Sequence, residues 1–233
     1  MAYVACHDCK TVVHYKPVNV EEFHQRFVEG NEPIYCLRCF KNREKKEEDI
    51  EMNQLIEKAK EFAKEAHKNQ VRKTTGAPYI GHPFHVAKIL EDAGLPTAVV
   101  VAGYLHDTVE DTEVTIEDIY REFGSEVGDL VAFNTEEKEH TWEQRKEHTV
   151  EQLKKATLLQ KALVVADKFA NLLELIRVHE KIGDEVFNAF KRGKEQQGWY
   201  FSGVAKSGKE NLSTDEIPDF FHEYEKAVES FFK

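Results

Sequence analysis

Two groups of residues in this chain are of types and spacings that could do chemistry. The first is the cysteines. Cys6, Cys9, Cys36 and Cys39 are the only ones among the 233 residues, and they form two Cys-x-x-Cys hooks, Cys6-His7-Asp8-Cys9 and Cys36-Leu37-Arg38-Cys39. Each hook offers two thiolates on a tight turn, and two hooks complete the tetrahedral sulfur sphere that Zn2+ takes in ribbon-like modules. The intervening positions 10–35 suit a ribbon. Two disulfides or two redox pairs would use the same residues. Disulfides need an oxidising compartment, and no basic segment precedes an apolar one at the N-terminus. Zinc is therefore the expected occupant, in a structural role. About forty residues bury too little surface to fold alone, and zinc contributes about 10–16 kcal/mol of apparent binding energy to such modules. His7, His14 and His24 are left as surface or neighbouring residues.

The second group is spread over four short segments: Arg72-Lys73, His82-Pro83, His106-Asp107-Thr108-Val109-Glu110-Asp111, and Asp167-Lys168-Phe169-Ala170-Asn171. His106 and Asp107 follow the apolar run Ala98–Leu105, and Asp167 follows Val164-Val165-Ala166. A buried, unpartnered carboxylate costs several kcal/mol, so such residues need a metal or an ion pair. Glu110 and Asp111 stand three and four residues after Asp107, on neighbouring turns that face one cleft. His82, His106, Asp107 and Asp167 together would make a mixed imidazole and carboxylate set. Such a set suits manganese, iron, cobalt or zinc and leaves positions open for water. The competing account pairs each acid with a lysine or a helix end, and Arg72 with an acid such as Glu65.

Helices must position these groups. Met52, Leu55, Ile56, Ala59, Phe62, Ala63 and Ala66 recur at helical spacing after the charge run Lys41–Asp49, which reads as a solvated helix start or a linker. Pro83 starts a helix that Gly94 stops, and Pro96 opens a central helix that is apolar on all sides. Thr115 with Asp118 starts a short helix that Gly124 ends. Thr141 caps a charged helix to about Lys155, Leu158 to His179 is a long buried helix, and the last runs from about Pro218 to Phe232. Period-two alternation is confined to the cysteine region. The expected organisation is a zinc-ribbon-like module over residues 1–45 and an all-α bundle over 46–233.

Lys plus Arg number 32 against 43 Asp plus Glu, a formal charge of −11. That field repels nucleic acid and anionic membrane, while leaving room for a local basic pocket. The cysteine region has no basic footprint either: Lys10, Lys16, Arg26 and Arg38 face Asp8, Glu21, Glu22, Glu29 and Glu32. Its expected role is contact with a protein partner or self-association. The longest apolar run, Ala98–Leu105, is far short of the roughly twenty residues that span a membrane. A cytoplasmic location is expected.

The ordered motifs resemble a known family. His106-Asp107, with His82 upstream and Asp167 downstream, is similar to the HD-domain metal-dependent phosphohydrolases. Closer still is the hydrolase domain of RelA/SpoT-type alarmone enzymes and the stand-alone small alarmone hydrolases. The resemblance rests on Ala66-His67, Gln70, Arg72-Lys73, Gly76, Pro78-Tyr79-Ile80, His82-Pro83, Leu105 to Thr112, Glu122-Phe123-Gly124, and Ala166-Asp167-Lys168 with Asn171, over roughly residues 52–177. It implies an all-α HD-domain helical bundle around one metal, usually manganese, held by His82, His106, Asp107 and Asp167. Glu110 and Asp111 match the acidic pair that orients and deprotonates the attacking water. Arg72 and Lys73 match the segment that lies against the purine and its phosphates, and Asn171 matches a sugar-side contact. The implied reaction removes the 3′-diphosphate of guanosine 3′,5′-bis(diphosphate) (ppGpp). The alternatives are a nucleotide phosphohydrolase of other specificity, such as a deoxynucleoside 5′-monophosphate phosphatase, and a non-catalytic nucleotide-sensing adaptor that holds a partner through its zinc ribbon. Nothing in the chain resembles a synthetase or regulatory domain. Thr141 to Lys146 and Gly198-Trp199-Tyr200 look like stand-alone bacterial HD hydrolases. The cysteine hooks, Ala170 and Glu174 depart from the family pattern, and an acid at position 174 weakens the phosphate-binding side.

Overall fold

A computed structural model describes residues 2–15, 33–136 and 139–233. His24, Lys16, Arg26 and the acids at 21, 22, 29 and 32, weighed above, lie outside the described residues, as does the side chain of His14. The chain divides into two compact units, Met1–Gln54 and Leu55–Lys233.

In the first unit, strands β1 (Ala2–Ala5) and β2 (Val12–Tyr15) pair antiparallel, in register from Ala2 opposite Tyr15 to Ala5 opposite Val12. The turn between them carries the first cysteine hook. It is closed by Cys6 N donating to Thr11 O at 2.9 Å and Lys10 N donating to Cys6 O at 3.0 Å, with Lys10 at φ +60°. The amide of His7 reaches Ile34 O at 2.8 Å, which brings the second hook to the first. Helix α1 (Leu37–Ala66) starts inside that second hook. The charge run Lys41–Asp49 is thus helical. The boundary expected near residue 45 falls within a continuous helix.

The second unit is helical. After the end of α1 come α2 (Gly81–Asp92), α3 (Thr97–Leu105), the single turn α4 (Thr108–Asp111), α5 (Ile116–Asn134), α6 (Trp142–Lys155), α7 (Leu158–Ile182), a 3-10 segment (Gly183–Ala189), α8 (Lys194–Lys209) and α9 (Asp219–Phe232). Helix α3 is buried from Val99 to Leu105, as its all-round apolar sequence requires. It packs tightly on α2 at Gly103, where a Cβ would come within 2.8 Å of Leu90 Cδ1 and 3.0 Å of Ala87 Cα. Helix α7 is the hub, packing on α2, α3, α5, α8 and α9. Thr115, Thr141 and Thr157 each close a reciprocal capping box with Asp118, Gln144 and Gln160, so three helices start where a hydroxyl takes up an orphan amide. Gly124 differs from expectation. At φ +82° it breaks α5, but helix resumes at once and continues to Asn134, because Val127, Leu130 and Val131 extend the buried stripe beyond it.

Candidate active site

Three segments meet at the buried cluster. The N-terminus of α2 supplies His82. Helix α3 stops at Leu105, and the turn that follows supplies His106 and Asp107, pinned by the Thr108 hydroxyl donating to Leu105 O at 2.7 Å. The middle of α7 supplies Asp167. His82 Nε2 lies 3.1 Å from Asp167 Oδ1 and 3.5 Å from Asp107 Oδ2. His106 Nε2 lies 3.0 Å from Asp107 Oδ2 and 3.7 Å from Asp167 Oδ1. The four residues expected as metal ligands are therefore brought together, and all but Asp107 are buried.

His106 shows what this cluster is built for. Its Nδ1 lies 2.9 Å from the carbonyl of Gly103; a carbonyl only accepts, so Nδ1 carries the proton. Its Nε2, fully buried, faces two carboxylates yet makes no hydrogen bond with either. Burial opposes a charged imidazole there, but Asp107 and then Asp167 push its pKa up to about 10. Burial would raise Asp107, and His106 holds it well below the carboxylate range. A buried imidazole nitrogen left without a hydrogen bond between two carboxylates, beside the bonded pair of His82 and Asp167, fits a divalent cation. Tyr79 adds an outer contact: its phenol donates to Asp107 Oδ2 and, at 3.3 Å, to Asp111 Oδ2. Burial, then Asp107, keep that phenol protonated far above its ordinary range.

The loop before α2 carries Arg72 and Lys73. It is a small hairpin, with Arg72 N donating to Ala77 O at 2.8 Å, Gly76 N to Arg72 O at 2.8 Å, and Gly76 at φ +70°. His67 and Gln70 fasten its base: His67 Nδ1 lies 2.7 Å from Gln70 Oε1, and the Gln70 amide donates to the carbonyl of Asp111. Arg72 does not pair with Glu65, which bonds Lys68. Its Nε donates to both oxygens of Glu174, at 3.0 and 3.1 Å, and its Nη2 donates to Asn171 Oδ1 at 2.7 Å. Asn171 in turn donates to Asp167 Oδ1 at 2.6 Å. The residue expected on the sugar side thus also ties the histidine–aspartate cluster to the loop.

A cavity of about 500 Å³ opens over this arrangement. Arg72, Lys73, Asp111 and Asn171, all singled out from the sequence, line it. Glu110 is half-buried, 4.0 Å from Arg145, and burial, then Asp107 and Glu136, raise its pKa. Sequence reasoning assigned no role to Lys146, Lys168, Trp142 or Tyr200, which also line the cavity. Lys168 carried a signal, being a lysine within an apolar run, and it donates to Asp167 Oδ2 at 2.5 Å. Lys146 carried none: it lies on a charged helix and bonds Glu136 at 2.6 Å.

The cysteines also converge, each offering a sulfur within 4.8 Å of the others; Cys9 and Cys36 sulfurs are 3.7 Å apart, and Cys36 N donates to Cys6 Sγ at 3.2 Å. The Cys39 thiol is pushed up to about 12, first by its bond with Cys36 and then by Cys9. Four sulfurs this close cannot all ionise without a cation between them, which fits a tetrahedral metal.

Comparison with known proteins agrees with this geometry. An HD domain family model matches residues 59–195. A Xenopus tropicalis protein named guanosine-3′,5′-bis(diphosphate) 3′-pyrophosphohydrolase MESH1 is 42% identical over 126 residues, covering 53% of this chain and 70% of that protein. An Aquifex aeolicus protein named guanosine-3′,5′-bis(diphosphate) 3′-pyrophosphohydrolase is 50% identical over 76 residues, 33% of this chain but only 11% of that longer protein. A crystal structure of a Listeria monocytogenes protein is 48% identical, with a TM-score of 0.63 over 65% of this chain and 98% of that one. A solved structure described as a metazoan ortholog of SpoT that hydrolyzes ppGpp is 26% identical, with a TM-score of 0.60 over 76% and 93%.

Proposed function

The chain belongs to the HD domain family, and from that membership we propose that it is a divalent-metal-dependent phosphohydrolase that removes the 3′-diphosphate from guanosine 3′,5′-bis(diphosphate). The observation that carries the reading is the unbonded convergence of His106 Nε2 with His82, Asp107 and Asp167 beside a cavity lined by both cations and aromatic rings.

His82, His106, Asp107 and Asp167 would hold the metal, with manganese the proposed ion. A divalent cation held there would supply polarisation of a phosphoryl oxygen and a more acidic water. Glu110, whose raised pKa improves it as a proton acceptor, takes the proton of the attacking water, with Asp111 beside it. The water oxygen bonds phosphorus, the bond from phosphorus to O3′ breaks, the 3′-diphosphate departs as pyrophosphate, and O3′ takes a proton from solvent to become the hydroxyl of guanosine 5′-diphosphate. Lys73, Lys146 and Lys168 offer ammonium groups to the phosphates. Arg72, stacked with its guanidinium carbon 5.3 Å from the Tyr79 ring centre, offers a flat face to the base. The cysteine module is proposed to hold one structural Zn2+ and to serve protein contact or self-association rather than chemistry.

The test is direct. Incubation with Mn2+ and guanosine 3′,5′-bis(diphosphate), with products resolved by ion exchange, should release pyrophosphate. Release of orthophosphate from nucleoside monophosphates, with the bis(diphosphate) untouched, would assign a 5′-nucleotidase. Binding of nucleotide without turnover of any kind would assign a sensor.

A further inference from the structure

Glu174 has no part in the chemistry above, yet it lines the cavity. It follows Asp167 by nearly two turns of α7, so the two carboxylates share a helix face about 10 Å apart. Lys168, Asn171 and Glu174 all line the cavity along α7. A nucleotide whose scissile phosphate lies at the histidine–aspartate cluster therefore brings its sugar or base to Glu174.

The Glu174 carboxylate accepts Arg72 Nε through both oxygens, and Oε1 also accepts the Thr74 hydroxyl. Arg72 and Glu174 side chains are 14% and 23% exposed, so their charges are matched at contact and only weakly screened by water. Two consequences follow. The positive charge of Arg72 is cancelled at the range where a phosphate would feel it. Its Nε and Nη2 edge, the fork that grips phosphate in bidentate fashion, is already occupied by Glu174 and Asn171. What Arg72 retains is its flat face and Nη1. What Glu174 retains is lone pairs, which accept from hydroxyl and amino groups and repel anions.

We propose that Glu174 is the specificity-determining residue of this cavity. It makes the end remote from the metal ligands accept a neutral hydrogen-bond donor, such as a sugar hydroxyl or the N–H edge of guanine, and reject a second phosphate. The inference rests on the phosphohydrolase reading for where the scissile group sits. A 5′-diphosphate on the substrate then has to lie against Lys73 or Lys146 instead.

The experiment compares guanosine 3′-diphosphates that carry either free hydroxyls or one added phosphate, at the 2′ or the 5′ position. For wild type, Glu174→Gln and Glu174→Ser, the ratio of kcat/KM for each phosphorylated ligand to that for its hydroxyl parent is measured. Both variants should raise this ratio at least tenfold for one of the positions, through KM, because the carboxylate is gone and Arg72 is free. Glu174→Asp, which keeps the charge, should stay close to wild type. A ratio that changes less than threefold at both positions overturns the proposal. So does an equal loss for every ligand, the result expected if Glu174 merely props Arg72 in place. Calorimetric Kd values for the same ligands give the same ratio without turnover. Wild type that binds but does not cleave would thus sink the phosphohydrolase reading while the ratio still decides the role of Glu174.

Discussion

Lys168 tests the charge balance of the histidine–aspartate cluster. Its ammonium donates to Asp167 Oδ2 at 2.5 Å, and Asp167 is almost wholly buried. Burial opposes the lysine charge, but Asp167, then Tyr200 and Glu136, hold its proton well above the ordinary range. Lys168→Met removes one partner of a buried pair, a change that costs about 3–5 kcal/mol. The lower end applies, because Lys168 keeps 16% exposure and Asp167 retains Asn171 at 2.6 Å and His82 at 3.1 Å. At 2–4 °C per kcal/mol for a chain of this size, about 3 kcal/mol lowers the metal-free Tm by roughly 6–12 °C. With metal the sign reverses. A divalent cation held by Asp167 would lie roughly 5 Å from the ammonium, where even unit charges repel by ~3 kcal/mol at an effective dielectric near 20. Removing the lysine should therefore tighten Mn2+ binding by about a hundredfold. Scanning calorimetry in EDTA and in saturating Mn2+, with titration calorimetry of Mn2+, reads both effects. The variant should melt well below wild type in EDTA and close to it in Mn2+. Equal losses in both conditions, or unchanged Mn2+ affinity, would refute the reasoning.

Glu110→Gln should lower kcat at least a hundredfold and leave Mn2+ affinity within twofold, since it removes a proton acceptor and not a ligand; normal turnover would remove Glu110 from that role. A base works deprotonated, so activity falls as pH drops through the raised Glu110 pKa. Glu136→Gln removes one of the charges that raise it and frees Arg145 and Lys146. The acid limb of kcat/KM should therefore move to lower pH, and an upward or absent shift contradicts the assignment. Cys36→Ser should reduce bound zinc, measured by mass spectrometry, from about one to near none per chain without changing the Mn2+-dependent rise in Tm. Thr157→Ala removes the cap of α7 and should lower Tm by roughly 2–4 °C, for about 1 kcal/mol.

The buried histidine–aspartate cluster was legible because polar residues standing in apolar runs demand an explanation. His106, Asp107 and Asp167 each end or interrupt a stretch that must be buried, and geometry then supplied the shared point. The capped helix starts were legible because a capping box is local. Lys146 was not assigned a role, and Glu174 was read without its partner Arg72, for a physical reason. Each is an ordinary charged residue on its own helix, and its meaning comes from a cavity assembled by α6, α7 and a loop distant in sequence. The competing pairing of Arg72 with Glu65 fails for the same reason: Glu65 is near in sequence, but its carboxylate is taken by Lys68 one turn on, whereas Glu174 reaches across the fold. Gly124 shows the limit of local signals. Its positive φ breaks the helix as a stop would, but the apolar stripe beyond it decides that helix continues.

The charge pairing explains how a chain of net charge −11 can receive a polyanion. In the cavity Arg72 is tied to Glu174, Lys146 to Glu136 and Lys168 to Asp167. These cations supply donors of fixed direction but little net positive potential. In this reading the missing potential comes with the metal, whose two charges are set against carboxylates that Lys168 already partly neutralises. Phosphate binding and metal binding are then one coupled equilibrium, in which each strengthens the other by the same factor. Asn171 connects the two proposed ends, accepting from Arg72 and donating to Asp167. A ligand that moves Arg72 therefore acts, through one amide, on a carboxylate of the histidine–aspartate cluster.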